Sequence, residues 1–219
     1  MVVFDISQLA EQNPWWIDKK NIISDVNIVK LSKLDYQWKP RVKDYIKLGQ
    51  DVIYTIRGPR QVGKTTLLKI IIQDLLSQGI NPENIFYSSF ENKTAEQLNQ
   101  IIQTYLNWRL NAPQERKYLF LDEICAVKDW SKELMHFANK GAFVNCSIIV
   151  TGSHSMDLKH STELMPGRRG GDGSTPLDKI LLPMKFSEFV ELLWPEFKQK
   201  MFDLGITKGE DRKKKILEL

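Results

Sequence analysis

Gly58-Pro59-Arg60-Gln61-Val62-Gly63-Lys64-Thr65-Thr66 is the stretch that decides the fold. Its glycines, lysine and hydroxyl residue fall on the spacing G-x-x-x-x-G-K-[ST], a loop whose backbone cradles phosphate oxygens. Asp51-Val-Ile-Tyr-Thr-Ile56 precedes it and reads as a strand. Thr66-Leu-Leu-Lys-Ile-Ile-Ile-Gln-Asp-Leu-Leu76 follows and reads as a helix. Strand, loop, helix is the setting in which such a loop works.

The residue types follow from the chemistry. Gly58 and Gly63 accept backbone angles that side chains resist, and leave room for a phosphate against the main chain. With Pro59, Arg60, Gln61 and Val62 they form a turn whose N–H groups converge on an anion. The start of the next helix adds its partial positive charge. Lys64 is expected to reach the β- and γ-phosphates, and Thr65 to set its hydroxyl on Mg²⁺. Thr66 is expected either to support the α-phosphate or to cap the helix. The plain alternative is a glycine turn with Lys64 as a solvated charge.

A second site lies downstream. Lys117-Tyr-Leu-Phe-Leu-Asp122-Glu123 is an apolar run of the kind buried in parallel sheets. Asp122 falls at its C-terminal end, where open α/β sheets bind ligands. An Asp there holds Mg²⁺ in phosphate-loop enzymes. Glu123 can orient or deprotonate a water beside the γ-phosphate, which suggests hydrolysis as well as binding. A solvated acidic pair is the alternative. Cys146-Ser-Ile-Ile-Val-Thr151 reads as a third buried strand, running into Gly152-Ser153-His154. Ser153, or Thr151 behind it, is placed to hydrogen-bond the γ-phosphate or the attacking water, unless these hydroxyls only close a turn.

The rest of the chain alternates strand and helix, which argues for a parallel sheet. Residues 1–50 are expected to form an N-terminal arm. Its Asn13-Pro14-Trp15-Trp16 carries enough apolar area to dock on the core, with base stacking or partner binding as the alternative. Residues 41–48 suggest a short helix. Ile85–Phe90 reads as a strand, with Glu91 near the nucleotide edge or on the surface. Thr94-Ala-Glu-Gln97 has the form of a capping box opening a helix to about Leu110. Asp129 is expected to cap the helix Trp130–Lys140. Leu177–Leu182 reads as the last strand. Ser187 is expected to cap a final helix packing inward through Phe189, Val190, Leu193 and Trp194. The long glycine-containing stretch between, 156–176, is the candidate nucleotide-responsive loop.

Composition narrows the class. With 219 residues the chain buries one sizeable core. No apolar run reaches membrane-span length, and the first residues lack a signal-peptide pattern, so the cytoplasm is the expected location. Cys125 and Cys146, without Cys-x-x-Cys spacing, read as reduced core thiols. The net charge of +4 is mild. Its basic run, Lys208 and Arg212–Lys215, is interleaved with Glu210, Asp211 and Glu218. That suits a solvated helix face, or a nucleic-acid contact.

Taken in order, Gly58–Thr66, Leu121-Asp-Glu-Ile124, Asp129-Trp130, Thr151-Gly-Ser-His-Ser155, Leu164-Met-Pro-Gly-Arg168 and Leu182-Pro-Met-Lys-Phe-Ser-Glu-Phe189 resemble the archaeal and bacterial AAA-type P-loop ATPases of the ExeA/STAND-related lineage. The resemblance runs from about Asp51 to Leu193. It implies a three-layer α/β/α core of the ASCE type, with a mostly parallel five-stranded sheet. In that core an extra strand separates the phosphate-loop strand from the Asp-Glu strand. It implies ATP and Mg²⁺ as ligands, Gly58–Thr65 as Walker A, Asp122 as Walker B, Glu123 as catalytic acid, and Ser153 or Thr151 as sensor. Its Gly-Arg motif falls on Gly167-Arg168. Arg168 would act in cis or be offered to a neighbouring copy in a homo-oligomer, with Arg169 an equal candidate.

The function implied is an ATP-hydrolysing switch or remodelling ATPase. The alternative is a nucleotide-gated module that regulates a protein or nucleic-acid partner with little turnover. A small-molecule kinase fits less well, because Glu123 beside Asp122 suits water activation. Members of the lineage continue into a C-terminal domain. The expected organisation is therefore an arm over 1–50, an ATPase core over 51–194 and a helical linker over 195–219, in a chain either cut near a domain boundary or naturally shortened.

Overall fold

The computed structural model describes residues 4–110, 115–153 and 169–194. These fall into two compact units: one of residues 4–33, 40–110, 115–153 and 169–182, the other of 34–39 and 183–194. The first unit holds the sheet.

Five strands, β1 (Val52–Arg57), β2 (Ile85–Ser89), β3 (Lys117–Asp122), β4 (Cys146–Gly152) and β5 (Asp178–Ile180), lie in the order β2-β3-β4-β1-β5. Every pairing is parallel. Strand β4 separates β1 from β3, so the phosphate-loop strand and the Asp-Glu strand are not neighbours. The register sets Arg57 beside Gly152 and Leu121 beside Val150. The ends of β1, β3 and β4 therefore open on one edge, where a ligand of a parallel sheet binds.

The strands are buried almost throughout, which is why they read as continuous apolar runs. Alternation sends successive side chains to opposite faces. Ile53, Leu119, Leu121, Ile148 and Val150 share one core with residues of α1 (Ile6–Gln12), α4 (Ala95–Trp108) and α5 (Trp130–Asn139). Tyr54, Ile56, Phe120 and Ile149 are buried on the other side. That side is the face of α3 (Lys64–Ser77), which packs in turn on α2 (Val26–Ser32). The layers are helix, sheet, helix.

Local signals account for the element ends. Thr94 Oγ1 accepts from the Gln97 N–H at 3.2 Å, and Gln97 Oε1 accepts from the Thr94 N–H at 3.0 Å, so the capping box forms. Other expected features differ. Asp129 stands at the N-cap of α5 with φ 59° and no side-chain cap bond; its carboxylate pairs with Lys132 at 2.7 Å instead. Residues 41–45 form a 3₁₀ turn, and the last strand shortens to Asp178–Ile180. The final helix, α6 (Phe186–Leu193), starts after Lys185, whose N–H donates to Glu188 at 2.9 Å. Ser187 lies inside its first turn, and no residue of α6 is buried.

The edge strand β2 is finished by side chains. Trp15 and Trp16 each donate their indole N–H to the Ile85 carbonyl at 2.9 Å. The Asn13 amide donates to the Tyr87 carbonyl at 2.9 Å and accepts the Tyr87 N–H at 2.6 Å. Gln12 accepts the Ser89 N–H at 2.9 Å. The outward backbone groups of alternate residues 85, 87 and 89 thus find partners without another strand. An unpaired buried group of this kind costs about 1–3 kcal/mol. Trp15 is fully buried, and Trp16 packs on Phe86, Tyr105 and Trp108 with ring centres 4.7–6.3 Å apart.

Candidate functional site

The loop between β1 and α3 brings Gly58 to Gly63 over the open edge of the sheet. Its two glycines serve different needs. Gly63 is the N-cap of α3 with φ 97°, a left-handed angle that glycine takes without strain. Gly58 is needed for proximity: a Cβ there would lie 2.3 Å from the Leu181 carbonyl oxygen. The sequence had suggested room for phosphate at Gly58; the close neighbour is the chain just beyond β5. Thr66 sits in the first turn of α3, so it does not cap the helix.

Lys64 is 4% exposed. Its ammonium donates to the Gly58 carbonyl at 3.1 Å, the Pro59 carbonyl at 3.0 Å and Ser153 Oγ at 2.8 Å, and lies 3.2 Å from Glu123 Oε1. Glu123 is held in turn by the Ser153 N–H at 3.1 Å and the Ser153 hydroxyl at 2.7 Å. Its backbone takes φ 50°, uncommon for a side-chain-bearing residue, and its N–H donates to Thr151 Oγ1 at 2.9 Å. Strain of this kind persists where neighbours hold it.

Asp122 faces three hydroxyls. Thr65 Oγ1 donates to Oδ2 at 2.7 Å, Tyr87 donates to the same oxygen at 3.0 Å, and Thr151 donates to Oδ1. Asp122 is 2% exposed. A buried carboxylate costs free energy unless such donors surround it. Burial and then the Asp122 carboxylate push the Tyr87 hydroxyl far above the ordinary tyrosine range, so it stays a donor.

The two strand-end hydroxyls divide their work. Thr151 is fully buried and serves Asp122 and the Glu123 backbone; Ser153 faces Lys64 and the Glu123 carboxylate. An open cleft of about 330 Å³ is lined by Arg60, Gln61, Thr65, Glu91, Glu123 and Ser153. Glu91 thus lines the same cleft as Thr65, Glu123 and Ser153.

Arg169 is elsewhere. Its guanidinium donates to the Ile53 carbonyl at 3.2 Å and to both Asp178 oxygens at 3.0 and 3.1 Å. Ile53 is near the start of β1, and the loop follows its end, so Arg169 points away from the phosphate loop. Gly167, Arg168 and His154 lie outside the described residues, as does the segment 195–219.

Two participants escaped the sequence reading. Tyr87 looks like one more apolar strand residue. Lys69 lies in the middle of Leu67–Ile72, and a lone lysine in such a run is a signal for a buried partner. That partner is Asp25, at 3.2 Å.

The donor set can be tested against a divalent ion. Among the described residues no group of three or more His, Cys, Asp or Glu could hold a metal. Mg²⁺, however, is usually held by one or two carboxylates together with substrate phosphates and waters. Thr65 spends its proton on Asp122 and keeps oxygen lone pairs for an ion. The residues fit Mg²⁺ that arrives with a nucleotide.

The chain is similar to known proteins. The model of a family described as an AAA domain matches residues 50–190. An uncharacterized protein of Haemophilus influenzae is 33% identical over 147 residues, covering 64% of this chain and 33% of that protein. The uncharacterized protein MJ1637 of Methanocaldococcus jannaschii is 30% identical over 175 residues, covering 78% of this chain and 34% of that one. The chain thus spans about a third of the length of these curated relatives. Among solved structures, the Walker-type ATPase of Pyrococcus abyssi is similar at TM-score 0.39 and 16% identity, over 76% of this chain and 58% of that one. AMPPCP-bound DnaA of Aquifex aeolicus is similar at TM-score 0.37 and 15% identity, over 89% and 55%.

Proposed function

The chain belongs to the AAA domain family, and from that premise we propose that it binds ATP with Mg²⁺ at the Gly58–Thr66 loop and hydrolyses it, driving a switch or a remodelling step. One observation carries the reading: Lys64, Thr65, Asp122, Glu123 and Ser153, from three separate segments, meet through contacts of 2.7–3.2 Å.

This contact set supports the roles assigned to Lys64, Thr65, Asp122, Glu123 and Ser153; that of Arg168 rests on the resemblance alone. Gly58 and Arg60 to Gly63 turn their N–H groups to the phosphates; Pro59 has none. Lys64 exchanges its loop carbonyls and Glu123 for phosphate oxygens. Thr65 and Asp122 hold Mg²⁺, which when bound neutralises charge on the β- and γ-phosphates. Glu123, released from Lys64, accepts a proton from the attacking water, and Ser153 keeps its carboxylate aimed. Arg168 is assigned the transition-state charge, in cis or from a neighbouring copy. The reading suits the cytoplasm, where ATP and Mg²⁺ are supplied. Among the described residues no helix is long and apolar enough to cross a membrane.

The Glu123–Lys64 pair also favours a second reading. While Glu123 is occupied by Lys64 and Ser153, it is not free to activate water. A nucleotide-gated module that turns over only with a protein or nucleic-acid partner would rest in this state. Phosphate release from Mg-ATP, with and without DNA, RNA and cell extract, separates the two. Steady turnover alone supports the ATPase, turnover only with a partner supports the gated module, and neither turnover nor Mg-ATP binding would sink both.

A further inference from the structure

Tyr87 is outside the loop and outside every strand end, yet it touches the centre of the site. Its hydroxyl donates 3.0 Å to Asp122 Oδ2, the oxygen that also receives Thr65. The side chain is 7% exposed and clamped on every side. Its backbone N–H and carbonyl are both taken by the Asn13 side chain. Its ring lies under Lys69, with the ammonium 3.5 Å from the ring centre. Lys69 is anchored by Asp25, 3.2 Å away, and also lies 5.0 Å from the Trp15 ring centre. The Asp25 carboxylate is fixed as the N-cap of α2.

A charge over an aromatic face is attracted to the ring, and the Asp25 pairing leaves little freedom to move. A tyrosine needed only to fill the core has no use for so complete a set of anchors. The hydroxyl is the part of it that reaches into the site, and what it reaches is the carboxylate assigned to the metal.

We propose that Tyr87 is a positioning residue for Asp122, its hydroxyl holding the carboxylate toward Thr65 so that the pair is set for Mg²⁺ before nucleotide arrives. The proposal rests on the Mg-nucleotide reading above. Outer-shell partners of metal ligands orient them, and losing one lowers metal affinity by about 10–100-fold. Asn13, Trp15 and Asp25 make the N-terminal segment the frame that fixes Tyr87.

The test is Tyr87→Phe, which keeps the ring over Lys69 and removes the hydroxyl. Binding of a fluorescent ATP analogue to the full chain is titrated with Mg²⁺, and repeated in EDTA, beside a thermal melt. The half-saturating Mg²⁺ concentration is expected to rise roughly tenfold, while affinity in EDTA stays as in wild type. An unchanged Mg²⁺ midpoint overturns the proposal. So does an equal loss of affinity with and without Mg²⁺, which would mark a structural role only. If the wild type itself binds nucleotide with no Mg²⁺ dependence, the metal reading falls with it, and the wild-type arm alone shows that.

Discussion

Helix α3 carries two buried lysines five positions apart, and they are held in opposite ways. Lys64 and Lys69 are each 4% exposed, and each has a carboxylate oxygen at 3.2 Å. Around Lys64 the partners are two loop carbonyls, a serine and Glu123, whose side chain is 27% exposed and borders the open cleft. Around Lys69 they are two aromatic rings and Asp25, 13% exposed. The first set can be exchanged for a ligand; the second cannot open without unpacking α2. Lysines of equal burial and equal charge thus differ in setting, and what separates them is whether the neighbours face solvent.

The largest expected effect tests the exchange at Lys64. Glu123→Gln keeps the size of the side chain and one acceptor oxygen, and removes the base together with the charge that pairs with Lys64. Hydrolysis should fall by about 10²–10⁴-fold, the usual worth of a positioned base, with nucleotide binding retained. Single-turnover phosphate release measures it, and unchanged turnover would remove Glu123 from the chemistry.

Substituting the two lysines in parallel comes next. Lys69→Met leaves the partly buried Asp25 without its ammonium partner, and should cost about 3 kcal/mol of stability in a urea melt. Lys64→Met leaves Glu123 bonded to Ser153 and near solvent. Its cost should be about 1 kcal/mol or less, while Mg-ATP binding is lost. Equal destabilisation by the two would break the distinction.

Asn13→Leu follows in size. It removes both bonds to the Tyr87 backbone and strands a buried N–H and carbonyl. About 2 kcal/mol should be lost, and amide exchange along β2 should rise ahead of that along β4.

The place of Lys64 at the sheet edge was legible in the sequence, and the pairing of Lys69 was not. The Gly58–Thr66 spacing, the apolar runs ending at Asp122 and Thr151, and their alternation with helices all act within a few residues of one another. Local pattern therefore located the sheet edge and the residues on it. Lys69 finds Asp25, and Tyr87 finds Asn13, across 44 and 74 residues of chain. Those contacts depend on how the N-terminal segment crosses β2, which no periodicity reports. Local signals also misled where two conformations compete. Asp129 and Ser187 are good cap residues, but Asp129, left-handed at the N-cap, makes no cap bond, and α6 starts ahead of Ser187 with Lys185 bonded to Glu188.

The smallest effect is a slope in pH. Burial lowers the Lys69 pKa below its ordinary 10.5, and the Asp25 charge offsets this only in part. Between the lowered value and 10.5 the unfolded chain therefore binds more protons at this residue than the folded one. Stability rises with pH wherever the unfolded state holds the extra proton, so the contribution of Lys69 grows across that window. Other groups titrate there too, but most are shared with Lys69→Met. The difference in urea midpoint between wild type and Lys69→Met isolates the term, and it should widen from pH 8 toward pH 10.5. A difference that stays flat would mean the ammonium is as well solvated as one on the surface. Its place between the Tyr87 ring and Asp25 would then carry no electrostatic cost.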